Sequence, residues 1–141
     1  MSLEALKARI RWAGEQAYAG NPDALDEVYA SDYVFHRPPF GDTVGLDSVK
    51  EKIAGVRQAY SDIEATYEDM TAEGDHIAYR WTMTMTHTGE SPTLPIPPTG
   101  KRVTLVGCTI VRVAGGKVVE EFEYGDYLGF LQQLGLGPSL G

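Results

Sequence analysis

The sequence predicts an α+β fold: three N-terminal helices packed on one curved, mostly antiparallel sheet, with a last helix closing the chain. Three observations carry this. Up to about residue 60, apolar residues recur at three- and four-residue steps. Near Ser61 the period changes to two. Beyond that point, tight turn signals separate long alternating runs, so the strands are joined mainly as hairpins. Helices followed by an antiparallel sheet make an α+β domain. Three helices folded against one curved sheet also enclose a pocket.

Each element has its own signal. Leu3, Leu6, Ile10, Ala13 and Ala17 form one apolar stripe on a first helix, which Gly20 stops. Asn21-Pro22-Asp23 is a helix start, with a cap, a proline at the first helical position and an acid in the first turn. The short second helix presents Leu25, Val28 and Tyr29. Tyr33–His36 is a brief strand broken by Arg37-Pro38-Pro39-Phe40-Gly41. A third helix carries Leu46, Val49, Ile53, Val56 and Tyr60. The strand Ile63–Ala72 turns at Glu73-Gly74-Asp75 into a long strand from His76. One face of that strand carries Ile77, Tyr79, Trp81, Met83, Met85 and His87. The other carries Ala78, Arg80 and the threonines 82, 84 and 86. Prolines at 92, 95, 97 and 98 exclude a regular strand from Gly89 to Gly100. Strands at Arg102–Val113 and Val118–Tyr124 follow. Asp126 then caps a helix with Tyr127, Leu128, Phe130, Leu131 and Leu134.

At 141 residues, 43% hydrophobic and 23% charged, the chain has the composition of one globular domain spanning 1–141. Its net charge of −8 and lack of a basic run disfavour nucleic acid and anionic membranes as partners. No segment approaches the roughly 20 apolar residues of a spanning helix, and the N-terminus lacks a signal core, so the expectation is a cytoplasmic protein. Cys108 stands alone, and neither a metal-ligand spacing nor a phosphate or dinucleotide loop is present, so no metal and no cofactor is expected.

The segments GKVVEEFEYGDYLGFLQQLG (Gly116–Gly135), PPTGKRV (Pro97–Val103) and AEGDHIAYRWTMTMTHTGE (Ala72–Glu90) resemble the SnoaL-like polyketide cyclases and related ester cyclases. So does NPDALDEVYASDYVFH from Asn21, and the likeness spans nearly the whole chain. The resemblance implies the nuclear transport factor 2-like cone, a small hydrophobic ligand in it, and a homodimer through the open face of the sheet. It also implies an intramolecular aldol ring closure without metal or cofactor, with an acid near the end of the last strand; the matching position is Asp126. Relatives commonly carry Trp where this chain has Phe122. Limonene epoxide hydrolases share the fold and pair an Arg and an Asp two residues apart on a middle strand with an Asp after the last strand. Arg80 and Asp126 match that set, but Thr82 replaces its second carboxylate, which disfavours epoxide hydrolysis.

The candidate catalytic residues are therefore Asp126, His36 and Arg80. An apolar surround would lift the Asp126 pKa towards the range useful for proton transfer, although Asp126 is equally suited to cap the helix. His36 could donate to a carbonyl or relay a proton. Arg80 could hold an acid or an enolate oxygen, or make a structural ion pair. If the last strand alternates regularly, Val118, Glu120, Phe122, Tyr124 and Asp126 share a face, and Glu121 and Glu123 point away. Candidate substrate-binding residues are Trp12, Tyr33, Phe40, Tyr60, Trp81, Glu120, Phe122 and Tyr124, with Tyr18 as a further wall residue. His87 is expected at the surface or an interface. The expected function is acid/base ring closure or a related carbonyl isomerisation of a small apolar carbonyl compound, chemistry of the lyase or isomerase type. The alternatives are a non-catalytic binding protein for a hydrophobic ligand, a pure interaction domain, or a relative of the epoxide hydrolases and dehydratases.

Overall fold

A computed structural model describes residues 2–91 and 95–138. The first helix, α1 (Leu3–Tyr18), is capped by Ser2, whose hydroxyl accepts from the Ala5 N–H at 3.1 Å, and it buries Leu6, Ile10, Ala13 and Ala17. That is the stripe read from the sequence. The expected second helix is one 3-10 segment, Pro22–Glu27, and Tyr29 already belongs to the strand β1 (Tyr29–His36). A two-residue strand, β2 (Thr43–Val44), pairs with β1 and was not expected. Helix α2 (Leu46–Ala59) buries Leu46, Val49, Ile53 and Ala59. It ends as Tyr60 turns extended, opening β3 (Tyr60–Glu73). Strands β4 (His76–His87), β5 (Arg102–Ala114) and β6 (Lys117–Gly125) follow, and then the helix α3 (Tyr127–Gln133). No helix among the described residues is long and apolar enough to cross a membrane.

The six strands form one sheet in the order β2-β1-β6-β5-β4-β3. Every neighbouring pair is antiparallel except β1 with β6. Bulges bend this sheet. On β3 they fall between Ser61 and Glu64 and between Glu68 and Thr71, and contain Asp62 and Asp69 at φ of 51° and 55°. On β6, Val118 pairs with Val113 but Glu120 pairs with Arg112, so β6 carries one extra residue there. A side-chain period of two means that one inserted residue exchanges the faces of everything after it.

The inner face of the sheet meets α1 and α2. Ile77, Val103, Val111 and Val118 are fully buried on it, with Tyr79, Trp81 and Met85 close to that limit. The alternation read along β4 therefore holds. Gly14 and Gly107 are explained by what faces them. A Cβ at Gly14 would collide with the Tyr67 hydroxyl, and one at Gly107 with the Trp81 indole. Helix α3 buries no residue completely, yet it is tied to β5 by Gln133, whose amide bonds both the N–H and the C=O of Thr104 at 2.7 Å.

Candidate functional site

Between the helices and the concave sheet lies a cavity of about 400 Å³. Its walls are apolar or phenolic. Tyr18 comes from α1, Tyr29 and Tyr33 from β1, Tyr67 from β3, and Tyr79 and Trp81 from β4. Tyr127 and Phe130 of α3 and Phe40 of the β1–β2 connection stand at its open side. The Trp81 indole N–H donates to the Thr109 hydroxyl at 2.9 Å, which fixes that ring. Burial raises the pKa of all these phenols, so near neutral pH they remain hydroxyl donors.

Two carboxyl groups reach into this cavity, both from β6: Glu121 and Glu123. Glu121 is 8% exposed and has no hydrogen-bond partner among the described residues. Burial first, and then the nearby Glu123, push its pKa up to about 8. Glu123 accepts from the Tyr127 hydroxyl at 2.7 Å. Its pKa is also raised by burial, but the Tyr127 hydrogen bond and the Arg37 charge pull it back. Neighbouring environments that push two acids apart are how one site holds an acid and a base together.

Of the residues singled out from sequence, Tyr33, Phe40, Tyr60 and Trp81 line the cavity, as does Tyr18. Trp12 does not; it packs on the core from α1, with the Arg9 guanidinium 4.4 Å over its ring. Glu120, Phe122 and Tyr124 lie on the outer face of the sheet, because the β6 bulge reverses the alternation after Val118. The same reversal turns Glu121 and Glu123 inward, contrary to the sequence reading.

His36, Arg80 and Asp126 do not converge. His36 is on the outer face, stacked 4.6 Å from Phe122, with Nε2 at 2.8 Å from Glu120 and Nδ1 at 2.8 Å from Asp42. The Glu120 bond, and then the Asp42 bond, raise its pKa. Arg112 completes this group, donating to Glu120 at 3.2 Å. Arg80 is also on the outer face, where it clamps the β3 bulge through Asp69 at 2.6 Å and Glu68 at 3.1 Å. Asp126 is exposed, and its carboxylate accepts from the Gly129 N–H at 2.9 Å. This is the helix cap weighed from sequence. His87, expected at the surface or an interface, is fully buried; its Nδ1 accepts from the Thr99 N–H at 3.1 Å and its Nε2 has no partner among the described residues. Residues 92–94 of the proline-rich segment lie outside the described residues.

Sequence reasoning missed Glu121, Glu123 and Arg37. For the acids the misleading signal was the assumed regular alternation, which puts Glu120, Phe122 and Tyr124 on the face of Val118 and Asp126; the bulge after Val118 breaks it. No His, Cys, Asp or Glu grouping able to hold a metal ion occurs among the described residues.

The chain has 26% identity to AclR, a candidate hydroxylase from Streptomyces galilaeus, with a TM-score of 0.81 over 99% of this chain and 87% of that one. It has 26% identity to IdmH, a candidate polyketide cyclase from Streptomyces antibioticus, with a TM-score of 0.78 over 93% of this chain and 99% of that one. A candidate polyketide cyclase from Acidithiobacillus ferrooxidans gives 27% and 0.77, over 95% and 97%. No curated protein matches the sequence. Residues 8–134 match the family described as SnoaL-like polyketide cyclase, and with nine-tenths of its length inside that match the chain belongs to this family.

Proposed function

We propose that the chain catalyses a cofactor-free, acid/base ring closure or isomerisation of a small carbonyl compound inside the cavity, with Glu121 as the acid and Glu123 as the base. One observation carries this reading. Glu121, a buried carboxyl without a hydrogen-bond partner, shares an apolar, phenol-lined cavity with a second carboxyl that is hydrogen-bonded and faces a cation.

The chemistry balances within the substrate. The Glu123 carboxylate takes a proton from a carbon next to a carbonyl, and a phenol hydroxyl such as that of Tyr33 or Tyr67 stabilises the enolate oxygen. The enolate carbon bonds to a second carbonyl carbon of the same molecule, and Glu121 gives its proton to the new alkoxide. The proton on Glu123 then returns to Glu121, and no atom is gained or lost. Apolar walls exclude water, which would otherwise quench the enolate. A binding protein without catalysis has no use for a buried, unpaired carboxyl, which is costly to keep.

The test is turnover of a naphthyl-bearing 1,5-diketone, followed by chromatography of the isomeric cyclic β-hydroxy ketone. Glu121→Gln and Glu123→Gln should each lower the rate about 10²–10⁴-fold, the span of general acid–base catalysis. Unchanged rates in both variants would overturn the assignment. The same reading pairs two copies through the outer face of the sheet, where Val106, Ile110 and Tyr124 are 43%, 39% and 54% exposed.

A further inference from the structure

The open side of the cavity carries two cations. Arg37 and Lys52 line the cavity, and neither has a carboxylate within 4 Å among the described residues. Among the described residues, six of the chain's twelve cations are ion-paired. Lys50, two residues from Lys52 on α2, pairs with Asp23 at 3.0 Å and Asp26 at 2.8 Å. Arg9, Arg80, Arg102 and Arg112 each have an acidic partner too. Among the described residues Arg11, Arg57, Lys101 and Lys117 are also without a carboxylate partner, but only Arg37 and Lys52 bring an unpaired positive charge to the cavity.

Arg37 is also held in place. Its guanidinium lies 4.6 Å from the Phe40 ring, 5.8 Å from Tyr127 and 6.0 Å from Phe35. Its charge also acts on Tyr127, pulling back a hydroxyl pKa that burial raises. Glu123 feels the Arg37 charge but is not in ion-pair contact with it; the Glu123 carboxylate is taken by the Tyr127 hydroxyl. A guanidinium fixed against aromatic faces keeps its remaining in-plane N–H groups free, and that planar fork matches the two oxygens of a carboxylate. Lys52 and Phe40 are exposed and Arg37 is half-buried, so the positive charge sits where the cavity meets water. A charged group bound there stays partly solvated while the rest of the ligand is buried.

We infer that the ligand carries a carboxylate at one end of an aromatic or otherwise flat apolar body, and that Arg37 grips this carboxylate at the mouth while Lys52 adds a second positive charge. The inference rests on the cavity being the substrate site, and it names the class of substrate: a carbonyl-bearing acid in preference to its ester or amide.

The experiment separates the two readings. Calorimetry near pH 7 and low salt compares 2-naphthoic acid with its uncharged analogue methyl 2-naphthoate, on wild type, Arg37→Gln and Lys52→Gln. The expected result is acid binding about tenfold or more tighter than ester binding. Arg37→Gln should weaken the acid about tenfold and Lys52→Gln by about threefold, and both should leave ester affinity within about twofold. The acid preference should also shrink as salt rises, because the charges are solvent-facing. Equal binding of acid and ester by wild type would overturn the carboxylate assignment and leave the cavity intact as a site. An equal loss of both ligands in Arg37→Gln would show that Arg37 only shapes the mouth, which also overturns it. Binding of neither ligand would overturn the cavity reading itself, and the inference with it.

Discussion

Glu121 couples the chemistry of the cavity to the stability of the fold. Its carboxyl ionises near 4.5 in the unfolded chain and at about 8 in the folded one. Below about 4.5 both states are protonated and the group contributes its full stability. As pH rises through that value, the unfolded chain releases the proton and the folded chain keeps it, so stability falls until the folded carboxyl also ionises near 8. At 1.36 kcal/mol per pKa unit the whole loss is about 5 kcal/mol. Urea melts at pH 5 and pH 8.5 should show this decline in wild type and a much flatter dependence in Glu121→Gln. Asp126 is a stability residue alone. Asp126→Ala should cost about 1 kcal/mol, as loss of an N-cap does, and leave the rate per folded molecule within about twofold. Asp126→Asn should recover most of that stability, because the amide oxygen still accepts from the Gly129 N–H.

At the scale of the element, strand β6 separates what a sequence can say from what it cannot. The α1 stripe, the β4 alternation, the hairpin turns and the α3 cap were all legible, because each rests on a local period or on one cap residue. The face of β6 was not. Its alternation is clear, but the extra residue between Val118 and Glu120 fixes the phase, and the pairing with Val113 and Arg112 reveals that residue only in three dimensions. The assumption of a regular alternation misled for a physical reason: the bulge turns the two acids inward and Phe122 and Tyr124 outward. Tyr33 and Trp81 were found because an aromatic is suited to either a core or a cavity wall, so the guess carried little risk. Two glycines were overlooked signals. Gly14 inside a helix and Gly107 inside a strand each mark a close approach by a large side chain of the inner face. Gly107→Ala should destabilise by about 1–3 kcal/mol, the range for overpacking, as read by thermal melts. Gly14→Ala should displace Tyr67 and reduce naphthoate affinity more than it reduces stability, since alanine favours the helix.

For the whole molecule, the two faces of the sheet have different partners. The inner face is covered by helices and encloses the cavity. The outer face carries a polar frame, with Arg80 on Glu68 and Asp69 at one side and His36, Glu120 and Arg112 at the other. Between them lie Val106, Ile110 and Tyr124, which gain by being covered. A second copy of this chain is the expected cover. Sedimentation at micromolar concentration should give a dimer, and Ile110→Glu should give a monomer that keeps its fold, because Ile110 is already 39% exposed. A monomeric wild type would remove the dimer from the account.

The bulge in β6 has a consequence for how this chain can change over generations. A point substitution alters one position on one side of the sheet. Deletion of the single residue Val119 would instead remove the bulge and keep the pairing, with Val118 still opposite Val113 and Glu120 still opposite Arg112, so both acids would stay in the cavity. In codon terms that is one in-frame three-nucleotide loss; in chemical terms the cavity lining is unchanged. Related chains that differ by a one-residue gap at this place can therefore present the same groups to the molecule they enclose.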